Sequence, residues 1–207
     1  MRLEHPASDA DLLLRIAGGD EEAFVALYRR WQGPLYRFAS QMTGNRSFAE
    51  EIVQETFVAL AQAARGFDPA RGAARPFLYG VCRNYVLRHA AGERPYVGLP
   101  DPGIDGAHRA AEPSAPGGVF DELAAAETVR EVRRAVLSLP PNYREAVVLC
   151  DLHEMTYEQA AEVLGCPKGT VRSRLHRARE LLLDKLRRSG PRLVELAAVR
   201  AESEGRR

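Results

Sequence analysis

Lys168, Thr170, Arg172, Ser173, Arg174 and Arg177 crowd into one short stretch. They supply an ammonium, guanidinium forks and hydroxyls, the donors that grip phosphates and read base edges. With Val171 as origin and about 100° per residue, Leu175, Ala178 and Leu182 fall within roughly 40° of it, while Ser173, Arg177 and Thr170 point to about 200°, 240° and 260°. The predicted helix is therefore apolar on one side and fitted to a polyanion on the other. Arg177 has the geometry for two bonds to a guanine edge, and Lys168, Arg172, Arg174 and Arg179 flank it as phosphate contacts. A second group, Glu50, Glu51, Gln54 and Glu55, forms an acidic polar face suited to a basic partner.

A solvated cationic helix would show the first pattern equally well, so the preceding residues decide its meaning. Thr156 followed by Gln159 is a capping box that starts one helix. Ala161 and Gly165 stand one turn apart where two helices cross closely, and Pro167 opens the second helix. Val171 then locks the second helix on the first. The stretch TYEQAAEVLGCPKGTVRSRLHRARELLLDKL thus reads as helix, tight turn, helix, with its cationic face at the start of the second.

The elements around it are helical throughout. Phe24, Leu27, Tyr28, Trp31, Leu35, Phe38, Ala39 and Met42 recur at steps of three and four, with Gly33-Pro34 as a predicted kink or break. Ser47 and Glu50 predict a capping box for a helix whose stripe is Phe48, Ile52, Val53, Phe57 and Leu60. Gly66 ends it, FDPARGAAR reads as a loop, and Pro76 starts RPFLYGVCRNYVLRHA. FDELAAAETVREVRRAVLSL is a further helix that stops before Pro140-Pro141, and NYREAVVLCDLHE another. No strand-like alternation occurs. The expected class is all-α, with two small helical domains at 8–94 and 121–188, a flexible Pro/Gly/Asp-rich linker at 95–120 and a tail at 189–207.

Composition excludes more than it identifies. The 207 residues are 45% apolar and 28% charged, as in a soluble globular chain. No apolar run is long enough to cross a bilayer and no signal segment is evident, so a cytoplasmic protein without membrane insertion is expected. Cys82, Cys150 and Cys166 form no CxxC pair and are expected to stay reduced. Cys150 and His153 make a CxxH, but no second ligand pair is in register for zinc. Walker loop, dinucleotide fingerprint, nucleophile elbow and metal-spaced His pair are all missing, so no catalytic residue, metal or cofactor is assigned and an enzyme is not expected.

The net charge of +1 conceals strong segregation. Residues 20–62 carry six acidic against four basic groups, and 65–94 six basic against two acidic. Residues 95–128 carry six acidic against one basic, and 168–188 eight basic against two acidic. Two cationic blocks separated by an anionic connector suit two contacts with one polyanion, because clustered cations gain from counterion release.

On these motifs the chain resembles the extracytoplasmic-function (ECF) group of bacterial RNA polymerase sigma factors, in the sigma-70 family. LPPNYREAVVLCDLHEMTYEQAAEVLGCPKGTVRSRLHRAREL is similar to family region 4 over its whole length; AEEIVQETFVAL resembles region 2.2, and RPFLYGVCRNYVLRHA the region 2.3 to 2.4 helix. The resemblance implies a transcription initiation factor that directs core polymerase to promoters. Glu50, Glu51, Gln54 and Glu55 would dock on the β′ clamp helices, and region 4 would meet the β flap. The loop from Phe67 to Arg75, with Arg71, would hold an extruded base of the −10 element, and Arg83 and Asn84 would contact the duplex edge. Region 4 would read the −35 element, and an anti-sigma factor is a further partner of the family. Phe67, Phe77, Tyr79 and Tyr85 could serve as stacking platforms, although Phe77, Tyr79 and Tyr85 have the spacing of core residues as well. Two departures from the family pattern stand out. Phe77 occupies a place where many relatives have Trp, and Arg88-His89-Ala90-Ala91 replaces a run of arginines. Two other readings of the motifs are a stand-alone helix-turn-helix regulator and an anti-sigma mimic with sigma-like folds.

The linker's roughly 26 residues reach about 86 to 94 Å extended but average near 28 Å as a coil, whereas elements two helical turns apart lie about 70 Å apart. The free chain is therefore expected to hold its two lobes close together.

Overall fold

In a computed structural model, residues 7–92 and 119–189 are described, and among them every regular element is helical. The amino-terminal group comprises α1 (Asp9–Ala17), α2 (Glu21–Thr43), α3 (Arg46–Ala63), a 3₁₀ turn (Ala64–Gly66) and α4 (Ala74–Ala90). The carboxy-terminal group comprises α5 (Val119–Leu137), α6 (Pro141–Val147), a π turn (Val148–Leu152), α7 (Tyr157–Leu164) and α8 (Lys168–Ser189). The connector 95–120 and the tail 189–207 lie almost wholly outside the described residues.

Several starts and stops have a local cause. Ser8 and Asp11 form a capping box for α1, a helix that the apolar pattern alone left unassigned. Asp20 accepts a hydrogen bond from the Ala23 amide to begin α2. Gly44 ends that helix at φ 69, a left-handed conformation that glycine adopts without steric cost. Leu137 of α5 packs at this same point, within 2.9 Å of where a Cβ would stand. Gly33-Pro34 does not split the helix: α2 runs on through Pro34. Leu27, Trp31, Leu35, Phe38, Ala39 and Met42 are buried on both sides of it, and their packing outweighs the about 3 kcal/mol that an interior proline costs.

The predicted Ser47–Glu50 capping box is also corrected. Asn45 caps α3, its side chain accepting from the Phe48 amide at 3.1 Å, and Glu50 pairs with Arg46 instead. The left-handed Gly44 leaves Asn45 extended at φ −124, which brings its side chain over the first turn two residues earlier than the sequence suggested. Pro76 stands at the third position of α4 rather than the first; its missing N–H still falls among the unpaired amides of the opening turn.

The two groups share one continuous core. Leu13, Leu27, Leu35, Ile52, Leu60 and Leu78 fill the amino-terminal part, and Leu139, Val148, Leu149, Val171, Leu175 and Ala178 the carboxy-terminal part. Tyr79 sits where they meet, edge-on to Trp31 at 5.8 Å and to Phe38 at 5.3 Å. His153, just beyond the π turn, joins this cluster 5.1 Å from Tyr79. Arg144 of α6 reaches back to the carbonyl of Met42 at 2.6 Å and to those of Leu137 and Leu139.

Candidate nucleic-acid interface

The helix-turn-helix is built as its sequence requires. Thr156 and Gln159 satisfy one another's backbone amides at the start of α7, and Gly165 ends that helix at φ 61. The Cys166 amide returns to the Ala161 carbonyl, so the turn is closed by its own hydrogen bond. Pro167 stands immediately before α8 and accepts from the Thr170 and Val171 amides. Val171, Leu175 and Ala178 are fully or almost fully buried against α6 and α7, as the angular count required.

That burial fixes what faces outward. Lys168, Arg172, Ser173 and Arg177 are exposed, with Thr170 and Arg174 half-buried. Arg177 donates to Glu180 at 2.8 Å, a contact that raises its pKa and lowers that of Glu180. Lys168 is paired with Glu158 of α7, which lowers the Glu158 pKa. Both pairs are solvent-exposed and therefore weak, so a phosphate or base edge can replace the carboxylate at little cost. Arg179 behaves differently. It chelates Asp151 at 2.6 and 3.1 Å and braces α8 against the π turn. His176, which angular reasoning passed over, is also exposed on α8, 3.5 Å from Glu180.

The amino-terminal basic block divides in two. Arg71 and Asn84 are exposed. Phe67 is 8% exposed and rests against Phe77 with ring centroids 5.1 Å apart, so it is packed rather than presented. Tyr79 is core, whereas Phe77 and Tyr85 are partly buried, the latter beneath the Arg88 guanidinium at 5.3 Å. Arg83 forms a forked pair with Glu145 of α6 at 2.6 and 3.3 Å, and Arg75 donates to the His153 carbonyl. Contacts across such sequence separations leave no trace in local spacing.

On the acidic face, Glu50 and Gln54 are exposed and Glu51 and Glu55 half-buried. Glu55 lies 3.2 Å from Nε2 of His89, whose side chain is packed between α4 and Phe48. Among the described residues, no helix is long and apolar enough to cross a membrane.

Known proteins share this arrangement in sequence and in shape. Residues 27–95 match the pattern described as Sigma-70 region 2, and residues 129–182 that described as Sigma-70, region 4. The chain is 33% identical over 192 residues to the ECF RNA polymerase sigma-E factor of Salmonella typhimurium, covering 86% of this chain and 94% of that protein. It is 33% identical over 175 residues to the ECF RNA polymerase sigma factor SigE of Mycolicibacterium smegmatis, covering 82% of this chain but 65% of that longer protein. CnrH, solved in complex with the cytosolic domain of CnrY, superposes with a TM-score of 0.66 at 25% identity, covering 88% of this chain and 99% of that one.

Proposed function

We propose how this chain, which belongs to the ECF group of the sigma-70 family of promoter-directing transcription initiation factors, divides that task among its residues. Residues 8–94 act as region 2 and 121–188 as region 4, with 95–120 as the tether. Glu50, Glu51, Gln54 and Glu55 dock on basic residues of the β′ clamp helices of core polymerase, and region 4 rests on the β flap. Region 2 engages the −10 element through Arg71, Arg75, Arg83 and Asn84, tracking backbone with the arginines, while Phe67, packed on Phe77, shapes the loop that presents Arg71. Region 4 reads the −35 element with Lys168, Thr170, Arg172, Ser173, Arg174 and Arg177.

One observation carries this reading: the exposed cationic face at the start of α8, held outward by the buried Val171, Leu175 and Ala178. It supports direct reading of the major groove because the side chains nearest the helix start are those free to approach base edges. An anti-sigma factor is a further partner that membership of the family implies, and CnrH, of like fold, is held by another protein, the cytosolic domain of CnrY. Run-off transcription with purified core polymerase on a genomic library tests the whole assignment. Site-selective transcripts that depend on this chain are expected; a chain that neither joins core polymerase nor selects start sites would overturn it.

A further inference from the structure

Two arginines assigned to the −10 side, Arg75 and Arg83, are turned toward the carboxy-terminal group. Arg83 meets Glu145, which is 4% exposed, and Arg75 meets the His153 carbonyl. Between them the His153 ring is held on both nitrogens, with Nδ1 2.8 Å from the Tyr79 hydroxyl and Nε2 2.8 Å from Oε1 of Gln41. Since Oε1 only accepts, Nε2 carries a proton, and in the neutral ring Nδ1 accepts from the Tyr79 hydroxyl. This neutral form satisfies α2 and α4 together. The backbone makes the arrangement at some cost: the His153 amide bonds the Val148 carbonyl to close a π turn, and Glu154 follows at φ 52, a left-handed conformation that side-chain-bearing residues seldom adopt.

We propose that the packing of the two helix groups is a latch, held shut by neutral His153 and opened by a proton, that withholds Arg75 and Arg83 from nucleic acid until it opens. The charged groups facing the ring are cations, Arg37 from α2 and Arg75 from α4; Tyr79 from α4 is the titratable group in contact. Burial, then the two guanidiniums, push the His153 pKa down to about 4. In an opened chain the exposed imidazole returns to about 6.5. The sign follows. Closing is fully favoured above about 6.5, and between there and about 4 each unit of falling pH moves the closed-to-open ratio about tenfold toward open. Opening also returns Glu145 and Arg83 to water, which offsets the loss of their ion pair.

The release of Arg75 and Arg83 to promoter DNA rests on the region 2 assignment; the latch does not. Small-angle scattering of the full chain at pH 7.5 and 5.0 tests the latch, with far-UV circular dichroism to confirm that the helices persist. The closed-to-open ratio is expected to fall about thirtyfold between the two, seen as an increased radius of gyration. His153→Gln keeps hydrogen-bonding capacity but cannot titrate, and its radius should not respond. Glu145→Ala, which removes the Arg83 partner, brings the transition into range if the wild-type chain is almost entirely closed. An unchanged profile in both wild type and Glu145→Ala, or the same expansion in His153→Gln, would overturn the latch. Binding of a fluorescent single-stranded oligonucleotide to the same samples separates the two readings. Tightening at pH 5.0 in wild type but not in His153→Gln supports both; expansion without tightening retains the latch and overturns the role of Arg75 and Arg83.

Discussion

At the scale of single residues, Arg177 and Lys168 differ in the information they carry. The Arg177 guanidinium can hold two acceptors of one base edge, so Arg177→Ala should cost about 1 to 3 kcal/mol of −35 discrimination, checked by competition among single-base variants of the site. Lys168 is a point charge. Lys168→Ala should weaken binding across all sequences alike and lower the salt slope by about 1, read from affinity against salt concentration. Both side chains were legible in the sequence, Arg177 because its outward position on α8 follows from angle and Lys168 because it stands at the first residue of that helix. Arg83 was legible as a cation and not as a partner of Glu145, since residues 62 positions apart meet only through tertiary packing. Phe67 shows the same limit: an aromatic residue in a basic loop suits stacking, yet here its ring is spent on Phe77.

At the scale of elements, the helix-turn-helix was the most legible part, because its signals are local and agree with one another. Thr156→Ala should remove the cap of α7 at about 1 kcal/mol, measured as a shift in the denaturant midpoint. Gly165→Ala should cost about 1 to 2 kcal/mol by forcing a side chain into the left-handed region; nothing crowds the position, so the loss belongs to the backbone alone. The same local reasoning failed on α2 and α3 for opposite reasons. Pro34 is overruled by burial on either side of it, a tertiary effect. Asn45 displaced Ser47 because the end of α2 sets where the next helix begins, so a cap cannot be located without its predecessor. The first helix, α1, carried its own capping box in Ser8 and Asp11, but its short apolar pattern sat among charges and was passed over.

For the molecule as a whole, charge segregation pointed to two contacts with one polyanion, and the reach of the linker led to the expectation of lobes held close together. Neither gave the face by which the lobes meet. Glu51→Lys combined with Glu55→Lys should abolish association with core polymerase, measured by co-sedimentation, while the full chain keeps its affinity for −35 duplex. Because Glu55 pairs with His89, a thermal melt of the doubly substituted chain distinguishes a lost docking surface from a loosened α3–α4 contact. Unchanged affinity for core polymerase would refute the docking role.

Two of the thiols, one buried and one half-buried, carry a consequence of another kind. Cys82 lies within the core with its pKa pushed up to about 12 by burial, and burial together with Asp151 pushes Cys150 up to about 11. Thiolate is the form that peroxide attacks, and at neutral pH these two sites hold almost none of it. Mass spectrometry after mild peroxide treatment should therefore find neither sulfur oxidised. Through these two sulfurs the chain is deaf to oxidants, and a cell that wishes to couple it to oxidative stress must place the sensing chemistry elsewhere.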